Sequence, residues 1–278
     1  MFELRCAICN EVFEGRPFAD AVKAVRKAGF KGFELAPFTL GDDPAAIGPA
    51  QRRECRAMIE SEGLQFVGLH WLLVTPKTLH VTTPDRAQRD WSWNYVRRLI
   101  DLAADLGPDS VMVFGSGPQR ASIGGVTEEQ ATRHFTDGLA SLAGHAVERG
   151  VTLLVEALSS AQTDVVTSLE EAAAIVRQID SPGVRTMFDT HNAAEETVPH
   201  AELVERHFDL IRHVHVNEMD GRHPGAGTYD FLPVMRVLAR RGYTGWISVE
   251  AFDFTPGAER IMSESLRHLQ SVAERISA

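Results

Sequence analysis

Four short apolar stretches in the second half of the chain each run into a side chain able to bind a hard or borderline cation. Val151-Thr152-Leu153-Leu154-Val155 leads to Glu156, and Val184-Arg185-Thr186-Met187-Phe188 leads to Asp189. Arg212-His213-Val214 leads to His215, and Trp246-Ile247-Ser248-Val249 leads to Glu250. One glutamate or one histidine at a strand end is commonly a surface residue or a helix cap. Four ligand types at the same end of four successive strands point instead to one divalent ion held at one face of a parallel sheet. Three carboxylates and one imidazole form an oxygen-rich set, which favours Mn²⁺, Mg²⁺ or Co²⁺, with Zn²⁺ as the alternative.

Neighbouring residues extend this constellation. His70 ends a third apolar run and Glu34 sits in a second, and both are expected to face the same cavity. His213 lies two residues before His215, so strand alternation turns both to one side, as a substrate contact or as a support for the ligand. Arg222 and His223 fall in the loop after the seventh strand, where Arg222 is placed to anchor a hydroxyl, carboxylate or phosphate. The long loops after the third, fourth and seventh strands are expected to form the substrate pocket. Trp71 and Trp246 read as packing, with an aromatic wall beside a sugar as the other use. Cys6-Ala7-Ile8-Cys9 has metal-like spacing but lies inside a strand without a second pair, so it reads as structural. Gly115-Ser116-Gly117-Pro118 lacks the lysine of a phosphate loop.

The elements that must position these groups repeat along the chain. Apolar, β-branched runs begin near Phe2, Gly32, Leu64, Ser110, Val151, Val184, Arg212 and Trp246. Each is followed by a stretch with apolar residues at helical spacing, several of them stopped by glycine. Thr127-Glu128-Glu129-Gln130 has the form of a capping box, opening a helix that runs to Arg149. Eight strand–helix units in 278 residues predict an α/β fold of one (β/α)8 TIM barrel, a single domain over residues 1–278. An open doubly wound sheet would carry a glycine-rich turn after the first strand, and Ile8-Cys9-Asn10-Glu11 is not one.

Composition narrows the functions. Apolar residues make up 44 % and charged ones 24 %, enough for a sizeable core. A net charge of −10 disfavours a broad grip on nucleic acid or on an anionic membrane. Three cysteines do not make a disulfide framework, and no apolar run approaches membrane length. The start shows no secretory pattern, so a cytoplasmic protein is expected.

Taken together, Val155-Glu156-Ala157-Leu158, Phe188-Asp189-Thr190-His191-Asn192, His213-Val214-His215-Val216-Asn217-Glu218, Pro224-Gly225-Ala226-Gly227 and Ser248-Val249-Glu250 resemble the xylose isomerase-like TIM barrel superfamily. Within it they are most similar to the sugar (phosphate) isomerases and epimerases typified by D-tagatose/D-psicose 3-epimerase. The resemblance implies one divalent ion on Glu156, Asp189, His215 and Glu250. It also implies that Glu156 and Glu250 are catalytic, one on each face of the reacting carbon, shuttling its proton. Chemistry agrees, because a proton α to a carbonyl yields to a carboxylate only when the developing enediolate is stabilised. The implied substrate contacts depart from the pattern. Gln162 stands where the ketose epimerases have a glutamate, His191 follows the aspartate by two residues rather than three, and Arg222 follows the metal histidine by seven rather than six.

The expected function is therefore a metal-dependent isomerase or epimerase of a small sugar or sugar derivative. Its expected partner is a small carbohydrate, without nucleic acid or membrane, in a homodimer or homotetramer. A lyase on the same scaffold is the alternative, such as a keto-inositol or dehydroshikimate dehydratase or a deglycosidase of oxidised sugars. An endonuclease IV-type repair enzyme would need about three metals and further histidines that the sequence does not supply. A non-catalytic sugar-binding protein would have no use for the paired glutamates.

Overall fold

Strands that must be covered on both faces read as continuous apolar runs rather than as alternations, and these do. The computed structural model describes residues 3–277, so the expected strand start at Phe2 lies outside the described residues. The strands are β1 (Cys6–Cys9), β2 (Gly32–Leu35), β3 (Gln65–Leu69), β4 (Ser110–Phe114), β5 (Val151–Val155), β6 (Val184–Asp189), β7 (Ile211–Val216) and β8 (Trp246–Val249). All pairings between neighbours are parallel, and β1 pairs with both β2 and β8. The sheet is therefore a closed eight-stranded barrel in sequence order, the (β/α)8 TIM barrel that the rhythm of the chain predicts.

The connecting helices are α1 (Phe18–Ala28), α2 (Pro49–Ser61), α3 (Arg86–Leu106), α4 (Gly117–Arg120), α5 (Glu128–Arg149), α6 (Leu169–Ile179), α7 (His200–His207), α8 (Leu232–Arg240) and α9 (Ala258–Ser277). Local chemistry sets their ends. Asp85 caps α3 by accepting from the Ala87 and Gln88 amides, and the Thr127–Gln130 capping box opens α5 as the sequence indicates. Gly150 closes α5 at φ 66°, a left-handed conformation that costs glycine little. The short helix α4 lies within what reads in sequence as a glycine-rich loop.

Alternation divides the strands into two environments. Outward residues, among them Phe33, Phe114, Leu153, Phe188 and Val214, pack beneath the helices in the main core. Inward residues Ala7, Val67, Val111, Val113, Leu154 and Met187 form a second, dry cluster inside the barrel, with Trp246 packed against it. Toward the C-terminal ends of the strands the inward positions turn polar: Cys9, Glu34, His213, His215 and Ser248 are all fully buried. Polar groups thus rest on an apolar plug, at the end of the barrel where the loops are free to build a site.

Candidate active site

Glu156 follows β5 directly, Asp189 ends β6, His215 lies in β7 and Glu250 follows β8. The closure of the barrel brings one donor atom from each of the four within 4.8 Å of the others, and all four residues are buried. The Nδ1 atom of His215 stands 3.1 Å from Oε2 of Glu250 and 3.7 Å from Oδ2 of Asp189. Its Nε2 stands 2.9 Å from Oε1 of Glu34. Burial opposes a charged imidazole, but Glu34, Cys9 and Glu250 hold His215 well above its ordinary range. With one proton kept on Nε2 by Glu34, Nδ1 is the atom that would offer a lone pair to a cation once its own proton is lost.

The other oxygens of the cluster are held by neutral donors. The side-chain amide of Asn192 donates to Oε1 of Glu156 at 3.0 Å, and its backbone amide donates to Oδ1 of Asp189 at 2.7 Å. Asn217 donates to Oδ2 of Asp189 at 3.2 Å. The indole N–H of Trp71 donates to Oε1 of Glu250 at 2.8 Å. Trp71 reaches it from a φ of 52°, a conformation rare for so bulky a side chain, and it stacks on Phe252 at 6.2 Å. Space is arranged as closely: a Cβ on Gly115 would lie 2.4 Å from Oε2 of Glu156.

Three carboxylates so close repel one another. Burial, then the charges of Glu250 and Asp189, push Glu156 up to about 8. Burial, then Glu250, pushes Asp189 up to about 6. For Glu250 burial acts in the same direction, yet the adjoining His215 together with His70 and the Trp71 N–H outweighs it and the carboxyl is lowered. Converging carboxylate oxygens with Nδ1 of an imidazole between them are a donor set that a divalent cation fits, and its charge would relieve the crowding.

Directly beneath lies a second polar layer. The Glu34 carboxylate accepts from Nε2 of His213 and of His215, each at 2.9 Å, and Nδ1 of His70 is 3.6 Å away. His70 in turn pairs with Glu11 at 2.7 Å. Glu34, His70 and His213 are each 0 % exposed. The structure therefore corrects the expectation that Glu34 and His70 face the cavity: with His213 they pair with one another, with Glu11 and with His215 one layer below it. Cys9 belongs to this layer as well, its thiol pushed up to about 11 chiefly by burial, which agrees with a structural cysteine.

A cavity of about 270 Å³ opens above the cluster. Glu156 and Glu250 form its floor, with Asn192 and Gln162; Trp71 and Phe252 form one wall, and residues of the loops after β3 and β4 complete it. Gln162 also lines the cavity and hydrogen-bonds Asn192 at 2.6 Å. His191 is tied to the Met219 carbonyl at 2.8 Å, and its ring leans on Phe252 at 5.1 Å rather than lining the cavity itself. Arg222 is a further correction. Its guanidinium pairs with Asp220 at 2.7 Å, and with His223 it lines a separate groove against α9. The loop after β7 folds back on itself because Glu218 accepts from the Gly225 and Tyr229 amides, so it does not overhang the site. The loops after β5, β6 and β8 contribute where that loop was expected to.

The model of the xylose isomerase-like TIM barrel family matches residues 22–272. The chain belongs to this family. Among its curated relatives, a fructoselysine 3-epimerase of Shigella flexneri is 22 % identical over 248 residues, covering 84 % of this chain and 85 % of that protein. A ketose 3-epimerase of Arthrobacter globiformis is 23 % identical, covering 87 % and 81 %. A solved D-psicose 3-epimerase, determined in the presence of D-fructose, superimposes with a TM-score of 0.84 at 19 % identity, covering 99 % of this chain and all of that one.

Within this family member, several site residues escaped the sequence reading. Asn192 and Asn217 stood inside the motifs but gave no sign of which oxygen they serve. Glu11 follows β1 in a 3-10 turn, without periodicity to mark it. Arg120 is fully buried, donating to the carbonyls of Phe114 (2.7 Å) and Val166 (3.2 Å), so it ties the end of β4 to the loop after β5. Burial pushes its guanidinium down to about 10 while the charge of Glu156 works the other way. An arginine three residues after Gly117 is not a signal for any of this.

Proposed function

We propose that the protein is a divalent-metal-dependent isomerase or epimerase of a small sugar or sugar derivative, moving a proton α to a carbonyl. The observation that carries this reading is the meeting of Glu156, Asp189, Nδ1 of His215 and Glu250 at one barrel mouth, with Glu34 fixing the tautomer of His215. The names of the relatives, two 3-epimerases among them, support the same class. Glu156, Asp189, His215 and Glu250 would hold one Mn²⁺, Mg²⁺ or Co²⁺, with Zn²⁺ the next choice. Such an ion, when bound, supplies positive charge opposite a carbonyl oxygen, which makes the neighbouring C–H acidic enough for a carboxylate.

The rest falls to the chain's own residues. Glu156 and Glu250 directly follow β5 and β8, at well-separated positions around the barrel, and both line the floor of the cavity. Each has one oxygen fixed by a neutral donor, Asn192 or Trp71, so that the carboxylate is oriented before substrate arrives. A substrate lying between them exposes opposite faces of the reacting carbon to two bases, as epimerisation requires. Trp71 and Phe252 cover the floor from one side and limit water. Three buried free cysteines suit a reducing cytoplasm.

The test is solvent exchange in the metal-loaded protein. Against a panel of ketoses, keto-inositols and 3-keto-glycosides, turnover in deuterated water should place deuterium at the reacting carbon. Glu156→Gln and Glu250→Gln should each keep the metal, lose turnover by several orders of magnitude, and differ in which epimer still exchanges. Product that has lost water or an aglycone would assign a lyase instead, and near-normal turnover in either variant would refute the two-base mechanism.

A further inference from the structure

The mouth of the active-site cavity carries a charge that the chemistry at its floor does not use. Lys77, in the loop between β3 and α3, lines the cavity and is exposed. Among the described residues no carboxylate pairs with its ammonium, although the chain as a whole carries a net charge of −10. Gln119 of α4 lines the same cavity, half-buried, and its side-chain amide has no hydrogen-bond partner among the described residues. Lys77 is also the one cationic side chain among the lining residues, the others being the floor groups, the aromatic wall and small or apolar residues such as Val74, Pro118 and Leu158.

The two loops that carry these donors are clipped to one another. The Leu73 amide donates to Oγ of Ser116 at 3.2 Å, and the Val81 amide donates to the Gln119 carbonyl at 2.9 Å. The side chain of Gln88, on α3, holds the Thr78 carbonyl at 2.7 Å, next to Lys77 itself. The backbone under both donors is therefore fixed before any ligand arrives, which lowers the entropy lost on binding. An ammonium offers donors and no acceptor, so it binds the lone pair of a hydroxyl but binds an anion, which accepts only and carries the opposite charge, more strongly.

We propose that Lys77, with Gln119 beside it, forms a subsite for an anionic group on the substrate, a carboxylate or a phosphate, at the end remote from the reacting carbon. This rests on the reading of the cavity floor as the reacting centre. The substrate is then a keto-sugar acid or a keto-sugar phosphate rather than a free ketose. Because Lys77 stays partly in water, its contribution to affinity is on the order of fivefold, and it weakens with salt.

Calorimetric titration of the Mn²⁺-loaded full chain tests this with three probes of one skeleton: D-fructose, D-fructose 6-phosphate and D-fructuronate. The wild type should bind at least one anionic probe about fivefold or more tightly than D-fructose, and which one gains separates phosphate from carboxylate. Lys77→Ala should abolish that preference, Lys77→Glu should invert it, and 0.5 M NaCl should shrink it. A preference that survives in Lys77→Ala, or a wild type that binds neither anionic probe better than D-fructose, overturns the proposal. Mn²⁺ uptake is measured first. Uptake without anion preference refutes the subsite alone, whereas absence of uptake refutes the reading of the floor, and the subsite falls with it.

Discussion

Glu34 accepts from two imidazoles with two separate oxygens, and this sets up a sharp perturbation. In the native protein Oε1 takes Nε2–H of His215 and Oε2 takes Nε2–H of His213. Glu34→Gln keeps the shape but replaces one acceptor by an NH₂ donor, so one of the two histidines must present a lone pair instead. If His215 changes, its Nε2 accepts from the new amide and the remaining proton stays on Nδ1, which then offers no lone pair to a cation. If His213 changes, its Nδ1 becomes an N–H in a place where that atom has no partner, at a cost of about 1–3 kcal/mol. Either route also removes a buried negative charge close to the cluster. Loss of such an outer partner typically lowers metal affinity by about 10–100-fold, equivalent to about 1.4–2.7 kcal/mol. Calorimetric titration with Mn²⁺ reads this directly, with circular dichroism confirming that the variant is folded. Glu34→Asp, which keeps the charge, should lose less. A folded Glu34→Gln protein that binds Mn²⁺ within twofold of the wild type would refute the assignment of the His215 tautomer.

The remaining expectations concern the cluster and its wall. Mn²⁺ at a hundred times its dissociation constant should stabilise the fold by about 2.7 kcal/mol. At about 2–4 °C per kcal/mol, that raises Tm by roughly 5–10 °C; a melting curve indifferent to Mn²⁺ and to chelator would contradict a metal site. Because burial and mutual repulsion push Glu156 up to about 8 and Asp189 up to about 6, each holds a proton below that pH which an entering cation must expel. Mn²⁺ affinity should therefore climb as pH rises through about 6 and about 8, and a flat profile from pH 6 to 8 would count against the crowding. Trp71→Phe keeps a ring against Phe252 but removes the hydrogen bond to Glu250. Turnover should fall about tenfold or more while Mn²⁺ affinity changes little, in line with a bond to a charged group; equal losses in both would make Trp71 a structural residue only.

The fold was legible because its signals are repeated and redundant. Eight apolar runs, with helix stops such as Gly29 and Gly150 and a capping box at Thr127, each give the same answer, so an error in one boundary leaves the topology unchanged. What the sequence hid were pieces too short to have a period. The four residues of α4 are one such piece, and the 3-10 turn that carries Glu11 is another.

The site was legible in a different way, through the rule that groups at strand ends gather at one face of a barrel. That rule placed Glu156, Asp189, His215 and Glu250 together, but it says nothing about depth. Alternation tells which side of a strand a residue faces; height along the barrel axis depends on strand tilt and on register between neighbours. The register slips between Phe33 and Glu34 against β3, and between Thr186 and Met187 against β7. Glu34 therefore meets His213 and His215 below the cavity, although by sequence it could as well have stood beside Glu156 and Glu250. Arg222 fails for the complementary reason. A loop's reach depends on whether its own polar groups satisfy one another, and Glu218 and Asp220 hold this one back. Strand ends are fixed by a ladder that every residue shares, and loop paths by single hydrogen bonds that no pattern in the sequence announces.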